Sequence, residues 1–163
     1  MTTPAEVVLR PLLASDAERM AHLHVAVWEE AYEGLVPAEI LAARRAGVAE
    51  RVDRWRTTAA TSPAATTVAE HDGELVGFVS VGPGRDADLD LDAELWALYV
   101  RAAWWGRGLG HRMLTEALAA RPAYLWVLDG NDRAAGFYRR QGFVPDGAVR
   151  VEPEGRELRM VRR

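Results

Sequence analysis

The chain has 163 residues, 24 acidic and 20 basic side chains, a formal net charge of −4 and no cysteine. That length suits a single domain over residues 1–163, able to bury roughly two thirds of its unfolded surface, while the lack of cysteine excludes a disulfide framework and any thiolate metal site. The mild acidity argues against nucleic acid as the main partner. With no secretory leader and no apolar stretch near the roughly 20 residues that span a bilayer, a soluble, cytoplasmic protein without a membrane partner is expected.

In chain order, "EVVLRPL" (Glu6 to Leu12) predicts a short strand, and Ser15 with Glu18 three residues later predicts a capping box opening a helix. That helix carries Met20, Leu23, Val27 and Ala31 on one stripe. Residues 40–60 predict further helix with a break near Gly47. "ATTVAEHDGELVGFVSV" predicts two strands joined through Asp72 and Gly73, since a tight hairpin needs positive φ at both central positions. "ELWALYV" is a third strand. "GPGRDADLDLD" between them is loosely composed, and its alternating Asp86, Asp88, Asp90 and Asp92 lack the glycine and terminal glutamate spacing of a calcium loop, so a solvated loop is expected. A helix from about Leu109 to Ala120, a buried strand "AYLWVL", a helix from Asn131 to Arg140 and two closing strands complete the chain. His22, His24, His71 and His111 show no metal-ligand spacing, so surface positions and no metal are expected.

Between the third strand and the next helix stand Gly106, Gly108 and Gly110. Glycine permits positive φ and close approach to a ligand, and a helix N-terminus adds unpaired N–H donors, so the turn suits a phosphate. Its G-x-G-x-G spacing matches neither the dinucleotide fingerprint nor the phosphate loop ending in Lys-Ser/Thr. Taken alone, it fits a tight strand-to-helix connection equally well.

A second segment decides between these. "LWVLDGNDRAAGFYRRQGF" places Asn131, Ala134, Phe137, Tyr138, Gly142 and Phe143 after a buried strand, and together with "LYV…GRGLG…ML" it resembles the GNAT superfamily of acyl-coenzyme A-dependent N-acetyltransferases. Trp105 stands where that family has Gln or Arg, and Ala102 where many members have proline. The resemblance implies an α/β fold, a mixed and mostly antiparallel sheet whose central strands splay apart, flanked by helices. It implies acetyl-CoA as cosubstrate, with Leu98, Tyr99 and Val100 along the pantetheine arm, Arg107, Gly108, Leu109, Gly110 and His111 at the pyrophosphate, and Asn131 and Phe137 beside the pantetheine. Tyr138 would lie near the thioester sulfur and protonate the departing thiolate; packing at a helix–strand junction is its alternative role.

Direct attack on a thioester needs a neutral amine, yet an alkylammonium with a pKa near ~10.4 leaves only about one molecule in a few thousand neutral at pH 7. Glu94 is the candidate proton acceptor, because strand alternation would put Glu94, Trp96, Leu98 and Val100 on one face; a solvated strand-end carboxylate is the competing reading. "WEEAYEGLVP" resembles a pattern that precedes the sheet near the acceptor in bacterial members, which makes Trp28, Tyr32 and Glu33 acceptor candidates, Trp28 with packing as its other role. Carboxylates at Glu29, Glu30, Glu33 and from Asp86 to Glu94 suggest a small cationic amine as acceptor. A non-catalytic acyl-CoA sensor and a protein N-acetyltransferase are the alternative functions, and a homodimer is an open expectation from the family.

Overall fold

A computed structural model describes residues 6–163. Strand β1 (Val8–Pro11) leads into helix α1 (Ala17–Tyr32), followed by α2 (Ala38–Ala46) and α3 (Val48–Thr61), which break at Gly47 as the sequence predicts. Strands β2 (Thr66–His71), β3 (Glu74–Pro83) and β4 (Ala93–Val100) form a meander. Asp72 and Gly73 take φ of 50° and 80°, the two positive values that a tight β2–β3 turn requires. Helix α4 (Leu109–Leu118), strand β5 (Ala123–Leu128), helix α5 (Asp132–Arg140) and the hairpin β6 (Val144–Glu152) and β7 (Gly155–Arg162) follow.

The sheet order is β1-β2-β3-β4-β5-β7-β6, antiparallel everywhere except where β4 runs parallel to β5. Two hydrophobic cores cover its faces. On one, Leu109, Met113, Leu114 and Leu118 of α4 pack with Leu95, Val79, Leu125 and Met160 of the sheet. On the other, Met20, Leu23 and Val27 of α1 meet Val68 and Phe78, with Leu41 of α2 completing the layer. The apolar stripe read from the sequence of α1 is thus the face laid on the sheet.

The start of α1 differs from the expected Ser15–Glu18 box. Asp16, the residue before α1, makes no side-chain bond to a backbone N–H of that helix; its carboxylate reaches back to the preceding 3-10 turn (Ala14–Asp16), accepting the Leu13 N–H at 2.9 Å, and is gripped by Arg10 at 2.7 and 2.9 Å and by Arg19 at 2.6 Å. The Arg10 ion pair holds the Asp16 carboxyl down at about 2 against its burial, helped by the Leu13 N–H and Arg19. Its folded pKa lies below its unfolded value of 3.8, so the stabilisation is present above that pH and is lost as pH falls through about 2. Asp16→Asn is expected to cost about 2 kcal/mol, lower Tm by roughly 4–8 °C at neutral pH and flatten the acid limb of the stability curve. An unchanged Tm would show that Arg10 and Glu70, 2.7 Å apart, hold this corner without Asp16.

Candidate active site

Strands β4 and β5 pair only at Glu94↔Tyr124 and then diverge. Among the described residues β4 has no strand neighbour on that side beyond Leu95, so main-chain donors and acceptors face an open cleft of about 390 Å³. Leu98, Tyr99 and Val100 line it from β4, Leu125 to Val127 from β5, and Asn131, Phe137 and Tyr138 from α5 and its cap.

A bulge contributes to the divergence. Ser80 pairs with Ala97 but Val81 pairs with Leu95, which leaves Trp96 as an extra residue in β4. Such an insertion twists a strand and reverses the phase of its side chains. Leu95, Leu98 and Val100 consequently share the α4 core, whereas Ala97 and Tyr99 belong to the opposite one. Simple alternation had grouped Glu94 with Trp96, Leu98 and Val100; the bulge corrects this and puts Glu94 on the side of Ala97 and Tyr99.

The glycine turn closes one end of the cleft. Gly108 takes φ of 83° as the N-cap of α4, and the first helical bond runs from Arg112 N–H to the Gly108 carbonyl at 3.1 Å. Helix geometry therefore leaves the N–H groups of Leu109, Gly110 and His111 without intrahelical acceptors, at the positive end of the macrodipole. Gly106, Gly108, Leu109, Gly110 and His111 all line the cleft. Arg107 is not among its lining residues; its guanidinium lies 5.5 Å from the Trp104 ring centre. Trp105, the departure from the family pattern, donates its indole N–H to the Val100 carbonyl at 2.8 Å and carries the Arg133 guanidinium 3.7 Å from its ring centre.

Asn131 is buried and caps α5, its side-chain oxygen accepting the Ala134 N–H at 3.3 Å. Five residues into that helix from Arg133, Tyr138 is buried between Phe137 and Phe143, with ring centres 5.3 and 6.0 Å away, and lines the cleft. Burial pushes its phenol well above the usual tyrosine range; Tyr32 adds to the rise and Arg133 opposes it. The hydroxyl holds its proton throughout the neutral range.

A second cavity of about 580 Å³ adjoins the cleft, and the two share Tyr32, Leu95, Trp96, Tyr99 and Trp126. At this junction the Tyr32 and Tyr99 hydroxyls are hydrogen-bonded at 2.8 Å. Trp28 also lines the second cavity, but Glu33 lines neither and is exposed just beyond α1. Glu94 lines it with almost no exposure. Its carboxylate accepts from the Arg85 side chain at 2.6 and 3.1 Å, from the Arg85 N–H at 3.2 Å and from the Tyr124 hydroxyl at 3.0 Å. Burial alone would raise the Glu94 carboxyl, yet the Arg85 pair outweighs it and the net shift is downward.

Several of the other carboxylates expected around an acceptor are paired with arginines, Asp86 while lining the second cavity. Glu29 pairs with Arg45 and Glu30 with Arg101, at 2.8 Å in the latter case. The aspartate-rich loop is anchored rather than simply solvated: buried Arg159 on β7 reaches Asp86 at 2.8 Å, Asp88 at 2.9 Å and Asp146 at 2.8 Å. Sequence reasoning missed Glu152, Glu154 and Glu157, which the β6–β7 hairpin brings into the second cavity. Their only local signal was an acidic cluster around the Pro153–Gly155 turn. His24 also departs from expectation, being packed among Trp28, Trp55, Phe78 and Tyr99 instead of lying at the surface. Among the described residues no cluster of His, Asp or Glu could hold a metal ion, and no helix is long and apolar enough to cross a membrane.

Residues 18–143 match the Acetyltransferase (GNAT) family, and the chain belongs to that family. It is 26% identical over 150 residues to a Mycobacterium tuberculosis protein described as a probable N-acetyltransferase, covering 88% of this chain and 83% of the relative. It is likewise 26% identical over 163 residues to the uncharacterized N-acetyltransferase YuaI of Bacillus subtilis, covering 96% and 88%. The fold is shared with the PaiA N-acetyltransferase of Thermoplasma acidophilum, solved in complex with coenzyme A, at a TM-score of 0.73 and 19% identity over 96% of this chain and 98% of that one. A GCN5-related N-acetyltransferase of Rhodopseudomonas palustris is similar at a TM-score of 0.71 and 25% identity, covering 99% and 96%.

Proposed function

We propose that the protein transfers an acetyl group from acetyl-CoA to a small, cationic primary amine by direct attack. The observation that carries this reading is the meeting of two cavities at the Tyr32–Tyr99 pair: a cleft of mixed polarity with a helix N-terminus at its end, and an acid-lined chamber. The cleft suits acetyl-CoA. Its free β4 edge offers partners to the pantetheine amides, and the N–H groups of Leu109, Gly110 and His111 offer donors to the pyrophosphate. Coenzyme A bound to the Thermoplasma PaiA relative supports the same use of the fold.

The amine enters from the acid-lined side. Its nitrogen attacks the thioester carbonyl carbon, the new C–N bond forms as the C–S bond breaks, Tyr138 gives its proton to the departing thiolate, and the amine's own proton leaves through water toward Glu94. Five carboxylates and two guanidinium groups line the chamber: Asp86, Glu94, Glu152, Glu154 and Glu157 against Arg85 and Arg150. Arg85 pairs with Glu94, Arg159 from outside the lining with Asp86, and Arg150 with Glu157 at 2.7 Å and more loosely with Glu152 at 3.6 Å, so the negative excess rests on Glu152 and Glu154.

A carboxylate ~4 Å from an ammonium contributes up to about 4 kcal/mol at an effective dielectric of 20, and charges beyond a Debye length of ~8 Å contribute little at physiological salt. Cationic acceptors should therefore be preferred, with an advantage that shrinks as salt rises. The test compares kcat/KM for spermidine, an aminoglycoside, a neutral arylalkylamine and glutamate across a salt series. A preference for glutamate or for the neutral amine, or no response to salt, contradicts the cationic-acceptor reading.

A further inference from the structure

Three tyrosines gather where the two cavities meet. Tyr32 at the end of α1 and Tyr99 on β4 line both cavities, and Tyr138 of α5 lines the cleft. The Tyr32 and Tyr99 hydroxyls lie 2.8 Å apart, and either oxygen can be the donor. Two hydroxyls carry two protons, and the bond between them uses one. The other proton has no acceptor on the protein among the described residues. Polar groups withdrawn from bulk water seldom leave a donor unpaired.

Packing holds both rings in place. Tyr99 sits against Phe78 and His24, with ring centres 5.6 and 6.2 Å away, and Tyr32 stands edge-on to Trp28 at 4.7 Å. Burial raises both phenols, so each keeps its proton through the neutral range and the pair is a donor, not a counter-charge. Only one atom of the reacting groups suits that donor. An ammonium has no lone pair, a neutral amine uses its single pair on the carbonyl carbon, and Tyr138 serves the sulfur. The carbonyl oxygen remains, and negative charge gathers on it as the C–N bond forms.

We propose that the Tyr32–Tyr99 pair donates its unused O–H to the thioester carbonyl oxygen, one tyrosine touching that oxygen and the other polarising it. The phenolic proton is shared and not transferred. As nitrogen attacks, the carbonyl π electrons move onto oxygen; they return as the C–S bond breaks, and the thiolate takes the Tyr138 proton. Linked hydroxyls strengthen one another as donors, and a donor fixed in advance acts most strongly where charge develops. This rests on acetyl transfer at the junction and adds the group that binds the oxygen in the transition state.

The experiment compares the wild type with Tyr32→Phe, Tyr99→Phe and the double variant, each of which loses oxygen but keeps its rings. The first readout is the infrared carbonyl stretch of bound acetyl-CoA, isotopically labelled at the carbonyl carbon, with no amine present. A donated hydrogen bond weakens the C=O bond, so the stretch should lie lower in the wild type than in the double variant; packing alone would leave it unmoved. The second is turnover: the double variant should lose roughly 100- to 1,000-fold in kcat, with KM for acetyl-CoA and amine changed by less than about threefold. The tyrosine that touches the oxygen should account for nearly all of this, so its single variant matches the double. An equal stretch in the wild type and the double variant, or wild-type kcat in the double variant, overturns the proposal. Single losses that multiply in the double variant overturn it too, because two hydroxyls acting through one bond do not lose its effect twice. A lowered wild-type stretch without thiol release for any amine overturns the acetyltransfer reading instead and leaves the carbonyl contact standing.

Discussion

Tyr138→Phe is expected to lower kcat by roughly 10- to 1,000-fold while changing acetyl-CoA affinity by less than about threefold. The substitution removes one oxygen and keeps the ring, so the packing against Phe137 and Phe143 survives and the cleft retains its wall. What is lost is the phenolic proton, which stays bound throughout the neutral range on a side chain of α5 that lines the cleft. Arg133, resting on Trp105 in the same cleft, acts against the rise that burial imposes on this phenol, which eases proton release when negative charge develops on sulfur. Loss of kcat with KM for acetyl-CoA preserved is the pattern of an interaction made only in the transition state. Wild-type turnover in Tyr138→Phe would make the residue a packing tyrosine and leave water as the proton donor.

Gly108→Val is expected to abolish the acetyl-CoA-induced rise in Tm. At φ of 83° a β-branched residue is strongly disfavoured, by roughly 2 kcal/mol, while a Cβ built there meets no atom within 4 Å. The free protein should therefore fold with a Tm lower by several degrees. The damage falls on the backbone donors, which turn away from the pyrophosphate as the cap relaxes toward negative φ. In the wild type, ligand at about 100 times its Kd stabilises by about 2.7 kcal/mol, a readily measured shift. Gly110→Val is a useful companion, since its Cβ would sit 3.4 Å from the Phe137 ring and act through packing instead of φ. A full ligand shift in Gly108→Val would show that the turn has a structural role only.

The elements most legible in the sequence are those whose cause is local. Asp72-Gly73 announces its hairpin because few other residues accept two successive positive φ values, and Gly108 and Asn131 announce helix starts because a cap is set by its own backbone and the next three residues. The splayed sheet and its family were legible through the two motifs on either side of the gap. What escaped notice depends on partners far away in sequence. Nothing in "ELWALYV" marks Trp96 as a bulge; the extra residue shows only in the register with β3, where the Trp96 ring lies against Gly82 with no room for a Cβ. That register decides which side Glu94 faces. The acidic wall of the second cavity comes from a hairpin some 60 residues from Glu94, and the burial of His24 depends on how α3 lies against it, through Arg51 and Trp55. The expectation for Glu29 and Glu30 failed for the same reason: each found a distant arginine that a linear reading could not place.

The most direct test of acetyl transfer between the two cavities is simultaneous measurement of free CoA thiol and N-acetylated product from acetyl-CoA with a panel of cationic, zwitterionic, neutral and acidic amines. The predicted result is amine-dependent thiol release, one thiol per acetylated amine, fastest with acceptors that carry a cationic amine and strongly reduced in Tyr138→Phe. Acetyl-CoA binding without thiol release for any amine, or release by hydrolysis with no acetylated product, would contradict it.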